Sequence, residues 1–338
     1  MEKTSNRKLG YFFILMTTII FSTAEPIFKT VGGNFNPVQF VSTRFFFGGL
    51  VLLPFALSYL KKKGIGFSEQ SKVRITKSDV IELILCGLLN VTISMTLYQW
   101  ALSLIPASAA AVLLCTNPVT TTFIAYLLIK EPITKNKIIM IVLSIIGVLI
   151  IIDPLNQSLD SMGLILMMLT VITFSLYSVI GKKSTIKLGG IAANSFTSII
   201  GGVTTFIVIF MTNIPAVGNF MLSVNMEKFA FIDLFQGYSW SIMPIVLWIW
   251  VVNTGIGFLC YFKGMELTSA TEASIVFLLK ITIGPIISMI FLKEVISLNL
   301  ALGMVLTTIG TLVVLLPGLK DIFRQRKDVS ELNKNAAS

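Results

Sequence analysis

The chain has 338 residues, 55% of them hydrophobic and only 12% charged, against about 25% charged in a soluble domain. That excludes a soluble globule and a disordered chain, while Gly 24, Pro 11 and Cys 3 exclude collagen and a disulfide scaffold. The net charge of +10 comes mostly from Lys and Arg between apolar runs, a placement that orients a membrane protein and calls for no nucleic acid.

Ten apolar segments follow one another at 10–31, 36–60, 80–102, 107–129, 136–153, 162–181, 190–212, 240–262, 269–292 and 297–317. Most approach or exceed the roughly 20 residues that cross a bilayer core. The first follows Lys3, Arg7 and Lys8, yet Glu25 and Pro26 stand where a secretory leader would carry a small-residue cleavage site, so it reads as a membrane helix. Basic residues collect in alternate connections: the N-terminus, Lys61–Lys63 with Lys72, Arg74 and Lys77, then Lys130, Lys135 and Lys137, then Lys182, Lys183 and Lys187, and finally Lys320, Arg324, Arg326 and Lys327. The intervening connections carry Asp153 and Asp160, or Glu227 and Asp233. The positive-inside rule then puts both termini in the cytoplasm, as an even number of spans also requires. Two connections are long, 61–79 inside and 213–239 outside. The second mixes Phe229, Phe231, Ile232, Leu234 and Phe235 with polar residues and reads equally as a surface-lying segment or a plain loop.

The chain repeats itself. A shift of 153 aligns Gly10 with Gly163, Phe21-Ser22 with Phe174-Ser175, Lys29 with Lys182 and Gly48-Gly49 with Gly201-Gly202. A shift of 163 aligns Asn90 with Asn253, Tyr98 with Tyr261, Ala107 with Ala270, Lys130-Glu131 with Lys293-Glu294 and Gly147 with Gly310. Each copy holds five spans, and an odd number forces the copies into opposite orientations, the inverted-repeat design of secondary transporters. The division is 1–155 for the first repeat, 156–320 for the second and 321–338 for a cytoplasmic tail.

Five-span repeats ending in Lys-Glu, a short polar step and a glycine-bearing last span resemble the drug/metabolite transporter superfamily, specifically its EamA-like ten-helix members. The stretches that carry the resemblance are Ser22 to Pro26 with Lys29, Arg44-Phe45, Tyr98 to Glu131 with Pro118, and Tyr261 to Glu294 with Lys280 and Pro285. It covers nearly the whole chain. The resemblance implies an all-α polytopic protein that exports or exchanges small metabolites, often amino acids, across the cytoplasmic membrane through a central cavity. In the second copy the proline follows Lys280 by five residues, whereas Pro118 directly follows Asn117.

Ionisable groups inside hydrocarbon ask for a partner or a task. Glu82 and Glu272 lie within a turn of a span end and read as structural, and Glu131 and Glu294 read as interfacial hinge or capping residues. Glu25 sits about 9 Å and Arg44 about 12 Å from the outer ends of the first two spans, depths at which they can form an ion pair; Lys29, one turn from Glu25, is the other available partner. Lys280 lies about 16 Å deep, near the midplane, too far to reach an interface. It is the expected substrate anchor, with Asn117 at the repeat-equivalent position, the matched pair Asn90 and Asn253, and Tyr98 as further substrate-binding candidates. Glu25 is the carboxylate best placed to carry a proton.

The expected partners are therefore a small-molecule substrate, the lipid bilayer and, as coupling ion, protons, with no cofactor and no metal. With no His and no carboxylate cluster in the spans, a membrane-embedded enzyme lacks its catalytic groups. A sugar-nucleotide or phosphate-sugar carrier is the nearer alternative, though it would gather more cations than Lys280 and Arg44. No GxxxxGK pattern followed by Ser or Thr occurs, so the chain carries no P-loop for ATP hydrolysis. A reporter fused after Lys327 is expected to read cytoplasmic and one in the 213–239 connection external; an external C-terminus would break both the span count and the inversion.

Overall fold

The computed structural model describes residues 2–153, 159–223, 226–268, 273 and 275–314, and the side chains of all these except 2–7 and 278. Glu272, Lys320, Arg324, Arg326 and Lys327 lie outside the described residues. Among the described residues, nine helices are long and apolar enough to span a membrane: Lys8–Gly32, Pro37–Lys63, Lys77–Leu104, Ala107–Ile129, Lys135–Ile152, Ser161–Ile180, Gly190–Thr212, Met243–Leu267 and Ile275–Leu292. A shorter apolar helix, Leu298–Val314, is the tenth span. The eighth starts and ends later than the sequence suggests, because Pro244, which suits a first helical turn, sets its beginning.

Side-chain caps fix several helix starts. Asn36 and Gln39 form a reciprocal capping box ahead of Pro37, as Thr76 and Asp79 do for the third span. Asp160 accepts from the Gly163 amide at the start of the sixth span. Other features interrupt the helices. The first span divides into Glu2–Ser22 and Ala24–Gly32, since Pro26 has no N–H to give the Ser22 carbonyl and its ring crowds that oxygen. The fourth divides into Ala107–Leu114 and Asn117–Ile129, with Pro118 in the first turn of the second piece. Spans three and eight carry π-helical turns at Leu88–Met95 and Trp248–Ile256, which contain the matched Asn90 and Asn253.

The repeat reappears as paired contacts. A Cβ on Gly10 would stand 2.5 Å from Thr268, and one on Gly163 would stand 2.6 Å from Ile105. Positions 10 and 163 are equivalent, and so are 105 and 268. One on Gly48 would meet Thr254 at 2.5 Å, and one on Gly201 would meet Val91 at 2.5 Å, again an equivalent pair. Gly49 lies against the backbone of Ile199 and Gly202 against that of Phe46, which are each other's equivalents, so the second and seventh spans cross on the pseudo-two-fold axis. Small residues let helices approach where hydrocarbon offers no hydrophobic drive to pack them.

The 213–239 connection is neither a plain loop nor a helix lying apart on the surface. It forms a helix at Pro215–Ser223 and a 3-10 turn at Glu227–Phe229, then folds onto the second span. The Gln39 side chain donates to the Leu234 and Gln236 carbonyls at 2.8 and 2.7 Å, and Asn36 donates to the Lys228 carbonyl at 2.7 Å. Ile232 is buried against Val38 and Ile209. Thus Ile232, with Phe229 and Leu234, packs onto the second and seventh spans, while Phe235 stays exposed.

The axial glycines generate a stability prediction. In Gly202→Val the new side chain meets the backbone of Phe46, which cannot rotate away, and overpacking of this kind costs about 1–3 kcal/mol. The detergent-solubilised variant should melt well below wild type, whereas Gly33→Ala, which meets nothing within 4 Å, should melt with it.

Candidate functional site

The break before Pro26 lets the short helix Ala24–Gly32 present Glu25 to the bundle interior, where it is 1% exposed. Two other spans converge on it. Lys280 of the ninth donates from Nζ to Glu25 Oε1 at 2.6 Å, and the Tyr98 hydroxyl of the third donates to the same oxygen at 2.8 Å. Glu25 Oε2 is buried with no hydrogen-bond partner. The arrangement is a buried ion pair with one acceptor left over.

This corrects two expectations. Glu25 pairs with neither Arg44 nor Lys29, and Lys280, expected to await a substrate anion, already has a protein carboxylate as its partner. The reason is azimuth: depth along a helix says nothing of the direction a side chain takes, and the break at Thr23 resets that direction for Glu25. Lys29 donates to the Ile105 carbonyl at 2.5 Å and stands 3.9 Å from Glu294. Arg44 donates from Nε to Thr254 Oγ1 at 3.1 Å, with its guanidinium carbon 4.0 Å from the Phe28 ring centre and 4.8 Å from that of Phe45. Cation–π contacts of this kind are worth about 0.5–2 kcal/mol.

The asparagines serve other helices. Asn117 Oδ1 accepts from Ser175 at 2.6 Å and from Thr121 at 3.2 Å, tying the fourth span to the sixth. Asn253 donates to the Ile20 carbonyl at 3.0 Å, just before the break in the first span. Asn90 keeps a buried, unpartnered Oδ1. Of the sequence candidates, Lys280, Glu25 and Tyr98 meet. Arg44 packs against Phe28, one turn from Glu25 on the same short helix.

The Lys-Glu corners diverge. Lys130 and Lys293 both leave their helices in the left-handed conformation, at φ 52° and 55°. Glu294 then accepts from the amides of Ala107 and Ser108 at 2.8 and 3.0 Å, capping the fourth span where free N–H groups and the helix dipole favour an anion. Glu131 instead takes Lys137 at 2.9 Å and Lys182 at 3.1 Å. Those two hydrogen bonds, that of Lys137 first, hold the Glu131 carboxyl below its usual range. Its contribution is therefore in force above the ordinary glutamate pKa and disappears as pH falls through the lowered one. Residues 270 and 271, equivalent to Ala107 and Ser108, lie outside the described residues. Sequence reasoning missed Thr254, Phe28 and Ser175 as partners; only Ser175 left a trace, through its alignment with Ser22.

A cavity of about 590 Å³ lies elsewhere, among the fourth, fifth and sixth spans, lined by Phe123, Leu127, Ile145, Leu149 and Met168 among others. It is almost wholly apolar, contains none of the candidate residues, and suits lipid chains better than a charged solute.

The family model of the EamA-like transporter family matches residues 8–153 and again 161–316. An uncharacterized transporter of Clostridium kluyveri is 32% identical over 90% of this chain and 93% of its own length. An S-adenosylmethionine uptake transporter of Rickettsia bellii is 24% identical over 72% of this chain and 76% of its own. A solved crystal structure covers 94% of this chain and 98% of its own, with a TM-score of 0.55 at 16% identity, which shows a shared fold.

The ion pair predicts a double-mutant result. Lys280→Met strands a buried carboxylate and should destabilise by about 3–5 kcal/mol. Adding Glu25→Gln should restore much of that loss, read as melting temperature in detergent. Additive losses in the double variant would mean that the two charges do not depend on each other.

Proposed function

This chain belongs to the EamA-like transporter family, a multi-pass membrane transporter of small molecules, and on that premise we propose that it exports amino acids or similar zwitterions by alternating access. Both termini then lie in the cytoplasm and the protein in the cytoplasmic membrane, as the basic connections favour. The solute crosses without being converted.

The observation that carries this reading is the Glu25–Lys280 pair with Tyr98. In the empty transporter each charge neutralises the other, so the interior stays folded without a ligand. A zwitterion brings both signs at once: its carboxylate replaces Glu25 at Lys280, and its ammonium replaces Lys280 at Glu25. Each new contact is a charge-assisted hydrogen bond of about 1.5–3 kcal/mol, so the exchange is nearly balanced. A ligand of one sign alone would leave a buried charge stranded. The S-adenosylmethionine named for the Rickettsia relatives shares the α-ammonium and α-carboxylate of this chemistry and adds a sulfonium charge to them. Against a sugar-nucleotide carrier, Lys280 is already neutralised, leaving Arg44 as the remaining buried cation among the described residues.

Access alternates if the two ends close in turn. The Glu294 cap on Ala107 and Ser108, braced by Lys29, ties the first, fourth and ninth spans at the end proposed to face outward. With that end closed, the opposite end is where solute would enter.

Proton use falls to Glu25, whose protonation would release Lys280. Reconstituted Glu25→Gln protein should still insert but lose the effect of a pH gradient on amino-acid flux. Flux that responds to the gradient as in wild type would confine Glu25 to holding the spans together.

A further inference from the structure

Arg44 is a buried cation for which neither the ion pair nor the helix packing accounts. It is 7% exposed, and of its five N–H donors only the one on Nε has a protein acceptor among the described residues, the Thr254 hydroxyl. Neither Nη atom is among the sealed, unpartnered polar atoms, so that edge of the guanidinium stays reachable. Charge adds to the imbalance. Glu25 and Lys280 cancel, and among the described residues no carboxylate pairs with Arg44.

We infer that the Nη edge of Arg44 is an anion site that receives a second carboxylate of the substrate, so that the preferred solute is an acidic zwitterion of net charge −1. The inference rests on the transport reading and sharpens it. The rings of Phe28 and Phe45 lie against the guanidinium, and Thr254 holds Nε, which together fix its plane. A fixed planar fork matches a carboxylate with two parallel hydrogen bonds. Phe28, whose ring lies 4.0 Å from the guanidinium carbon, stands one turn from Glu25 on the short helix Ala24–Gly32, so Arg44 packs against the helix that carries the ion pair. A dicarboxylic amino acid would then place its ammonium at Glu25, one carboxylate at Lys280 and the other at Arg44. The sum of the three protein charges and the solute's −1 is zero. A neutral amino acid would leave Arg44 as it stands in the empty transporter, so only a second carboxylate gains that contact.

The rival reading makes Arg44 a tie between the second and eighth spans through Thr254. Full-length protein in proteoliposomes distinguishes the two, with radiolabelled glutamate and glutamine, which differ chiefly in the second charge. Wild type should prefer glutamate, and Arg44→Gln should raise the KM for glutamate at least tenfold while leaving that for glutamine within twofold. Arg44→Lys, which keeps charge without the fork, should fall between. An unchanged glutamate-to-glutamine ratio in Arg44→Gln overturns the anion site.

Ligand-dependent melting in detergent covers the remaining cases. Glutamate should stabilise wild type more than glutamine or chloride does, and Arg44→Lys, or Arg44→Gln where it folds, should reduce that margin. Chloride that stabilises as strongly as glutamate, or variants that respond as wild type does, would overturn the assignment. A wild-type protein that moves no amino acid yet shows the Arg44-dependent shift would sink the transport reading and leave the anion site standing.

Discussion

Water is absent from the core of a bilayer, so a charge there must find its counter-charge within the protein or in what the protein binds. Lys280 stands near the midplane with Glu25 as that counter-charge, and several local irregularities exist to let the two meet. Pro26 breaks the first span so that Glu25 leaves the register of an unbroken helix. Asn253 in a π-helical turn accepts the consequence by donating to the Ile20 carbonyl at the break. Tyr98 adds a third helix to the same oxygen. Without the pair, three spans would lose a common point of contact, and an unbroken first span would be the simpler solution.

The pseudo-two-fold axis makes departures from symmetry informative. Asn117 and Ser175 are hydrogen-bonded at 2.6 Å. Their equivalents are Lys280 and Ser22, which are not: Ser22 Oγ is buried without a partner, because Lys280 has turned to Glu25. Glu25 itself has Ser178 as its equivalent, so the second copy carries no second ion pair. The scaffold contacts of the glycines are thus duplicated while the charged chemistry is single. Duplication supplies the inverted frame, and the Glu25–Lys280 pair has no counterpart in it, since the equivalent positions hold Ser178 and Asn117.

Much of the frame was legible in the sequence because helix length, apolarity and self-similarity are one-dimensional properties. The two shifts that align Gly10 with Gly163 and Asn90 with Asn253 also identify which contacts recur in the fold. The site was legible only in part. Depth singled out Lys280, Glu25 and Arg44, but pairing depends on azimuth, which Pro26 resets by an amount no spacing argument supplies. The asparagines bond to other helices for a related reason. Their equivalence in the two copies reflects helix interruption and helix–helix bonding, which symmetry duplicates, more than contact with Lys280. The 213–239 connection hid its packing because its anchors, Asn36 and Gln39, lie far away in sequence and look like ordinary helix-start residues.

The two Lys-Glu corners show how equivalent residues come to differ. Both turn out of their helices through a left-handed lysine, so the backbone offers each glutamate the same opportunity. Glu294 uses it to hold the amides of Ala107 and Ser108, whereas Glu131 is held by Lys137 and Lys182. A carboxylate engaged by two lysines is satisfied at a surface where those bonds exchange readily with water, each worth about 1 kcal/mol or less. One held by helix-terminal amides is satisfied only while the spans stay together. The equivalent glutamates thus differ in their partners and not in the turn that presents them, so the asymmetry of the two corners lies in what each end of the bundle brings within reach.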